Sequence, residues 1–254
     1  MKKILCILLF TISWVLPSQG TYRTEVTYKV NYDFDMPYSY TAKLIFNNVN
    51  AYYFEVKANT PKVEEGTKLI EEKPNIKGSY GYNTNLVTDF IFYKTLIGEQ
   101  TFLQKEKITR IPWKIDADSE GEILGYKCKK ATGLFRGREY VVWFTQEIPV
   151  KFGPWKLNGL PGLILEVKDT LGEVEFTVEK IEFLKEEKKF EFDFPKEKND
   201  YPVITLKDYV KKLNDDVKNK IKLIMAKLPK GTKVISKSEI KEYRGAELKY
   251  EWEK

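Results

Sequence analysis

The sequence predicts a mainly β fold of the α+β kind. The expected architecture is a curved antiparallel sheet or half-barrel of about a dozen strands, with one long helix over 206–228 packed on it. Three observations predict it. Apolar residues recur at every second position along most of the chain, as half-buried strands require. Connections between these stretches are short, which favours antiparallel neighbours. Only between Leu206 and Leu228 does the spacing become helical.

In order, Val26, Tyr28, Val30 and Tyr32 share one face of a strand from Thr24 to Tyr32. Ala42, Leu44 and Phe46 do the same from Tyr40, and Tyr52 to Val56 makes a third strand. Aromatic and β-branched residues of this kind pack well on a pleated surface. Asn59 to Tyr82, rich in Pro, Gly, Glu and Lys, reads as an excursion at one end of the sheet. Phe90 to Tyr93, Glu99 to Leu103 and Lys107 to Ile111 are expected strands. Pro112 demotes Ile111 to Ile115 to an edge or a strand start, and Asp116 to Gly121 reads as a polar turn. Ile123 to Ala131 and Glu139 to Thr145 follow, with a hairpin turn at Arg136-Gly137-Arg138. Leu163 to Val167 should pair with Glu173 to Val178 across Asp169 to Gly172, and Ile181 to Leu184 and Phe190 to Phe194 continue the pattern. In the helix, Thr205 and Asp208 suggest a capping box, and Pro229 with Gly231 supplies the stop. Its single apolar stripe is expected to cover the sheet as a lid with any ligand beneath it. The alternative is a membrane-surface helix. Ile235 to Trp252 reads as a last strand.

Met1-Lys2-Lys3, an apolar run from Ile4 to Leu16 and the small residues Ser18 and Gly20 have the form of a secretory signal peptide cleaved near Gly20. The expected division is a leader over 1–20 and a single β-rich domain over 21–254. The apolar run is shorter than the ~20 residues of a membrane span, so no transmembrane segment is expected in the mature chain. The leader holds Lys2 and Lys3, so its removal lowers the net charge of +6 by two. Charges of both signs alternate, as in Glu186 to Lys189, and no dense basic patch points to nucleic acid. Beyond the leader, Cys128 is the remaining cysteine and cannot form an intrachain disulfide. Its alternating surroundings suggest a small buried hydrophobe, the alternative being a reactive thiol.

Between Glu147 and Val167 the prolines and glycines punctuate apolar residues. Pro fixes φ and Gly permits positive φ, so Pro149, Gly153, Pro154, Gly159, Pro161 and Gly162 specify a structural path. Pro161-Gly162 is expected to form the centre of a type II turn.

Several pieces carry a resemblance. They are Trp113-Lys114-Ile115, Ile123-Leu124-Gly125-Tyr126-Lys127-Cys128-Lys129-Lys130-Ala131, Phe135-Arg136-Gly137-Arg138-Glu139-Tyr140, Val142-Trp143-Phe144-Thr145, Glu147-Ile148-Pro149, Gly153-Pro154-Trp155-Lys156 and Gly159-Leu160-Pro161-Gly162-Leu163-Ile164. In this order and spacing the chain resembles the GLPGLI family of exported proteins of Gram-negative bacteria, from about Trp113 to Val178. The resemblance implies a periplasmic or outer-envelope setting. It implies no catalytic residue, since the family has no established activity. A looser likeness in topology is to curved sheet-and-helix carriers of lipoproteins.

The chain contains no histidine, which excludes Ser-His-Asp and Cys-His catalysis and histidine metal sites. No phosphate-binding glycine loop occurs, and no cofactor, metal ligand or catalytic residue is expected. Carboxylate-pair hydrolysis needs only two acids brought together, with Asp116, Asp118, Glu166 and Asp169 as candidates. The candidate ligand site is Arg136 and Arg138 with Tyr140, Trp143 and Trp155. Two arginines beside aromatic residues can hold a carboxylate such as a peptide terminus or an anionic headgroup. The alternative is that Arg138 pairs with a buried carboxylate and the tryptophans fill the core. The expected function is a periplasmic or secreted non-enzymatic binding or carrier protein. Its ligand would be a lipid, lipoprotein or peptide, held on the concave side of the sheet, with a possible outer-membrane or envelope partner. The alternatives are a carboxylate-based hydrolase and an envelope interaction module presenting a strand edge.

Overall fold

Alternation becomes sheet wherever the apolar face finds cover, and this chain provides that cover by curling the sheet on itself. The structure is a computed structural model that describes residues 22–56, 81–185, 201–229 and 245–253. Its elements are β1 (Tyr22–Tyr32), β2 (Tyr38–Phe46), β3 (Asn50–Val56), β4 (Gly81–Asn85), β5 (Phe90–Ile97), β6 (Gln100–Lys107), β7 (Lys114–Ile123), β8 (Tyr126–Phe135), β9 (Arg138–Thr145), β10 (Leu163–Asp169), β11 (Val174–Lys185), β12 (Val203–Thr205) and α1 (Leu206–Lys227). They form one 12-stranded sheet in the order β12-β6-β5-β4-β3-β2-β1-β11-β10-β9-β8-β7. Every pairing is antiparallel except that of β12 with β6. The sheet is therefore mixed by one short edge strand.

This order forces curvature. The chain meanders from β1 to β6, crosses to β7 and meanders back until β11 pairs with β1. Ten inter-strand spacings separate β6 from β7. In a flat sheet they would lie about 48 Å apart, at about 4.8 Å per spacing. The link from Lys107 to Lys114 extends to about 25 Å at most. The sheet must bend until its two ends approach, and it forms an open bowl without closing into a barrel.

The concave face carries the core. Val26, Tyr28 and Val30 of β1, Ala42, Leu44 and Phe46 of β2, and Val174, Phe176 and Val178 of β11 are all buried there. Residues 147–162 fill the bowl rather than lining its rim. Ile148, Phe152, Trp155, Leu157 and Leu160 join the same core. Their backbone is satisfied locally, with Gly159 N donating to Lys151 O and Ile164 N to Phe152 O. Tyr28 Oη donates to Ile164 O at 2.6 Å across the core, and Trp113 Nε1 to Asn158 O at 2.8 Å. Ile45, Tyr52 and Phe54 form a smaller cluster on the other face.

The structure corrects several local expectations. Residues 108–113 form the link to β7 and no strand. Asp116 to Gly121 is part of β7, with a bulge between Asp116 and Glu120 rather than a turn. Ile123 to Ala131 is broken by a hairpin turn at Leu124-Gly125, where both φ values are positive, 52° and 83°. Ile181 to Leu184 is the end of β11. Residues 245–253 are turns and coil, not strand. Gly162 does not have positive φ, so the type II turn is absent. A Cβ at Gly162 would overlap the Thr145 carbonyl, and close backbone approach is what requires glycine there. The excursion expected over Asn59 to Tyr82 ends in β4 at Gly81 and Tyr82. Its residues 59–80, the leader, the strand expected at Phe190 to Phe194 and residues 235–244 of the expected last strand lie outside the described residues.

Helix α1 begins at the expected cap, with the Thr205 hydroxyl accepting from Asp208 N at 3.1 Å. It packs on β5, β6 and β12 at one end of the sheet. Only its first turn goes deep: Leu206 is buried, and Tyr209, Val210 and Leu213 are half-buried. Among the described residues Leu223, Ile224 and Met225 stay exposed, so α1 flanks the sheet edge and does not lid the bowl. No helix among the described residues is long and apolar enough to cross a membrane.

Candidate functional site

The β8–β9 turn places two arginines at the mouth of the bowl. Arg136 and Gly137 have φ of 47° and 82°, the two positive values that a type I′ hairpin turn demands. Arg138 opens β9 on its inner face, in step with Tyr140, Val142 and Phe144. The side chains of Arg136 and Arg138 are 2% and 1% exposed.

Buried charge demands buried counter-charge. Arg136 Nη2 meets Glu106 Oε1 of β6 at 2.5 Å, Nε meets Glu251 at 3.0 Å, and Nη1 pairs with Glu247. Lys156, in the segment that fills the bowl, meets Glu106 at 2.8 Å and Glu247 at 2.9 Å. Two cations and three carboxylates from four separated parts of the chain thus form one network. Arg138 forms a second one, with Asp169 at 2.5 Å and Glu173 at 2.7 Å. The other Asp169 oxygen accepts from the Glu173 and Val174 amides at 2.8 and 2.9 Å.

Opposite charge outweighs burial in the first network. Desolvation works against the Lys156 ammonium, yet Glu106 and Glu247 hold its pKa above the ordinary 10.5. Arg136 is raised in the same way. Desolvation works against the Glu247 carboxylate, and Lys156 and Arg136 still hold it below 4.5. Aromatic rings frame the cations. Arg136 lies 5.1 Å from the Phe135 centroid and 5.7 Å from Tyr250, and Lys156 Nζ lies 5.6 Å from Tyr82 and 5.5 Å from Trp155.

The object held is a peptide, and it belongs to this chain. Leu248 N and Lys249 N both donate to Arg136 O at 2.9 Å. Arg138 Nη2 donates to Gly245 O at 2.8 Å, and Tyr140 Oη to Ala246 O at 3.3 Å. Thr109 Oγ1 donates to Glu251 at 2.8 Å. A Cβ on Gly137 would come within 3.0–3.1 Å of Leu248 and Lys249, so the bare turn lets the segment lie against it. Residues 245–251 are clasped through their backbone and through two glutamates.

Arg136, Arg138 and Tyr140 therefore converge on one segment. Trp155 supports them from below: it is buried, has φ of 57° and meets Phe135 edge-on at 5.7 Å. Trp143 does not join them. The two-residue period puts it on the opposite face of β9, where it lies against Gly121. Sequence reasoning missed Lys156, Glu106, Glu247 and Glu251 as members of the site. Lys156 had a signal, a lone charge among apolar residues. The glutamates had none, because their charged partners are 30 to 115 positions away.

The four candidate hydrolytic acids do not assemble. Asp116 and Asp118 are exposed on edge strand β7, three strands from β10, about 14 Å in spacing. Glu166 and Asp169 of β10 are three apart and point to opposite faces, with Asp169 tied to Arg138. Glycoside hydrolysis needs carboxyls within ~10 Å in one cleft. No group of metal-binding side chains occurs among the described residues. A separate cleft of about 470 Å³ opens beside the β1–β2 turn, where the polar Asn31, Asp33, Ser39 and Glu175 alternate with Tyr32, Pro37 and Tyr38 in its lining. Cys128 is buried, and burial pushes its thiol up to about 11.

Fold and site together define a β-bowl domain with a buried ionic clasp. The family described as N-glycanase peptide, N-terminal domain, matches residues 91–208. Two crystal forms of PNGF-II share the fold. They give TM-scores of 0.53 and 0.52 at 16% and 17% identity, over 77% and 76% of this chain and 33% of that protein. This chain thus spans about a third of their length. A LolA superfamily protein from Nitrosomonas europaea covers 63% of this chain and 84% of its own at 9% identity. Its TM-score of 0.26 is too low to support the carrier analogy. No curated protein matches the chain.

Proposed function

We propose that this chain is an exported, non-enzymatic binding protein of the GLPGLI type that recognises carboxylate-bearing peptide at its arginine clasp. The single observation that carries the reading is the clasp itself. Three nearly fully buried cations, Arg136, Arg138 and Lys156, hold a peptide segment by its backbone and by two glutamates. Such an arrangement recognises and does not transform: the acids nearest the cations are neutralised by them. In this reading residues 1–20 are a leader, and 21–254 form one domain that works in the periplasm or outside the cell. Presentation of a strand edge is less suited to the geometry, because β7 carries a bulge and charged Asp116, Asp118, Glu120 and Glu122.

Native mass spectrometry of protein purified from its own envelope tests the reading. The expected result is a co-purifying acidic peptide or protein fragment that dissociates on acidification. Protein that always emerges empty, or that cleaves the peptides offered to it, contradicts the proposal.

One observation favours an amphipathic ligand as a second reading, the exposed Leu223, Ile224 and Met225 on α1. In that case a lipid or lipoprotein would lie along the outer side of α1 and not inside the filled bowl. Co-purified lipid that is unaffected by polar changes on this face, such as Leu223→Asp with Ile224→Asp, would remove it.

A further inference from the structure

The clasp has a feature that a purely structural ion network lacks: part of its charge balance comes from a segment that pairs with no strand of the sheet. Glu106, Asp169 and Glu173 belong to the sheet and its turns. Glu247 and Glu251 belong to the segment over 245–253. The segment forms no strand, and it offers Gly245 O, Ala246 O, Leu248 N and Lys249 N as backbone partners. Backbone groups are common to all peptides. The charged side-chain contacts at the cations come from the two glutamates, four residues apart, with the Tyr250 ring 5.7 Å from Arg136 beside them.

Removal of the segment leaves an electrostatic imbalance. Of the ion partners described here, Arg136 and Lys156 would retain only Glu106, two buried cations against one carboxylate. An uncompensated buried charge is costly, so the emptied site favours an acidic occupant. The walls survive emptying, because Glu106 still bridges Arg136 and Lys156, and Asp169 still orients Arg138. A preorganised site binds with little further ordering cost.

We infer that the clasp is an exchangeable peptide-binding site for acidic peptides of the pattern Glu-x-x-x-Glu, and that residues 245–253 are its resident occupant. A partner presenting that pattern displaces the resident segment and takes over the same backbone bonds to Arg136 and Arg138. This rests on the binding role proposed above and adds the ligand pattern and the competition. The resident segment lowers the apparent affinity for the partner, because the competent state is only fractionally populated.

The probe is a synthetic, capped peptide of residues 245–253, with a control peptide carrying Glu247→Gln and Glu251→Gln. In the wild-type full chain, hydrogen exchange at the Leu248 and Lys249 amides is followed as peptide is added. The expected result is exchange at least tenfold faster at saturating peptide, with no effect of the control. The second arm is the full chain with Glu247→Gln and Glu251→Gln, which should bind the labelled wild-type peptide at least tenfold more tightly than the wild-type chain does. If this variant fails to fold, the wild-type exchange arm decides alone. Peptide binding without loss of protection at Leu248 and Lys249 overturns the exchange but leaves the binding role standing. Equal effects of both peptides overturn the glutamate pattern. If no peptide binds either protein, both the exchange and the proposed peptide recognition fall.

Discussion

Gly162 shows at the scale of one residue how the cause of a glycine can differ from the one its sequence suggests. The sequence marks the position as glycine-requiring, yet its φ is not positive, and the constraint is the Thr145 carbonyl lying where a Cβ would sit. Gly162→Ala is expected to destabilise by about 1–3 kcal/mol, the cost of forcing atoms into a packed interior. Equilibrium unfolding checks it, and an unchanged midpoint would show that the strand entry can shift freely. Cys128 should resist thiol reagents until the protein unfolds, because its sulfur is buried and its pKa is raised. Modification of the native protein at the rate of a free thiol would contradict this. Glu247 gives the pH dependence. Its folded pKa is depressed, so its contribution is present above about 4.5 and is lost as pH falls through the folded value. Lys156 is raised above 10.5, so its contribution is present below that value and lost as pH rises through the folded one. The difference in thermal midpoint between wild type and Glu247→Gln should therefore be constant near neutrality, shrink as pH falls below about 4.5 and vanish once the pH lies below the folded value. A difference that persists in acid would mean that the carboxylate charge is not what stabilises the segment.

Elements were legible in proportion to how local their causes are. The period of two located β1, β2, β3, β9 and β10 to within a few residues, because alternation is written in adjacent positions. Helix α1 was legible from its stripe and its Thr205 cap. Its role as a lid was not, because a stripe says that a face is apolar and not which surface meets it. The short turn at Leu124-Gly125 was missed because leucine seldom adopts the positive φ found there. The acidic run at Asp116 to Gly121 looked like a turn, and it is an edge strand where charge and a bulge discourage further pairing. At this scale the prediction concerns α1. Leu213→Asp with Val217→Asp alters its partly buried stripe, whose inner residue is Leu213, and should lower stability by about 1–3 kcal/mol while leaving the bowl folded. Circular dichroism and thermal unfolding read it, and global unfolding would mean that α1 is integral to the bowl.

For the whole molecule, curvature and clasp are one phenomenon. A short link between β6 and β7 brings the sheet ends together, residues 147–162 fill the space enclosed, and Glu106, Arg136, Lys156 and Glu247 tie the rim. The arginine and tyrosine members of this site could be named from sequence because they cluster within five positions. Its carboxylates could not, because only the closed topology brings β6 and the segment over 245–253 to the β8–β9 turn. The most direct test of the account is a double-mutant cycle on equilibrium stability, with Lys156→Met and Glu247→Gln singly and together. The account predicts a favourable coupling between the two positions of about 1–3 kcal/mol, as for contacting residues in one buried network. Effects that simply add would mean that Lys156 and Glu247 do not meet in solution, and the clasp would lose its foundation.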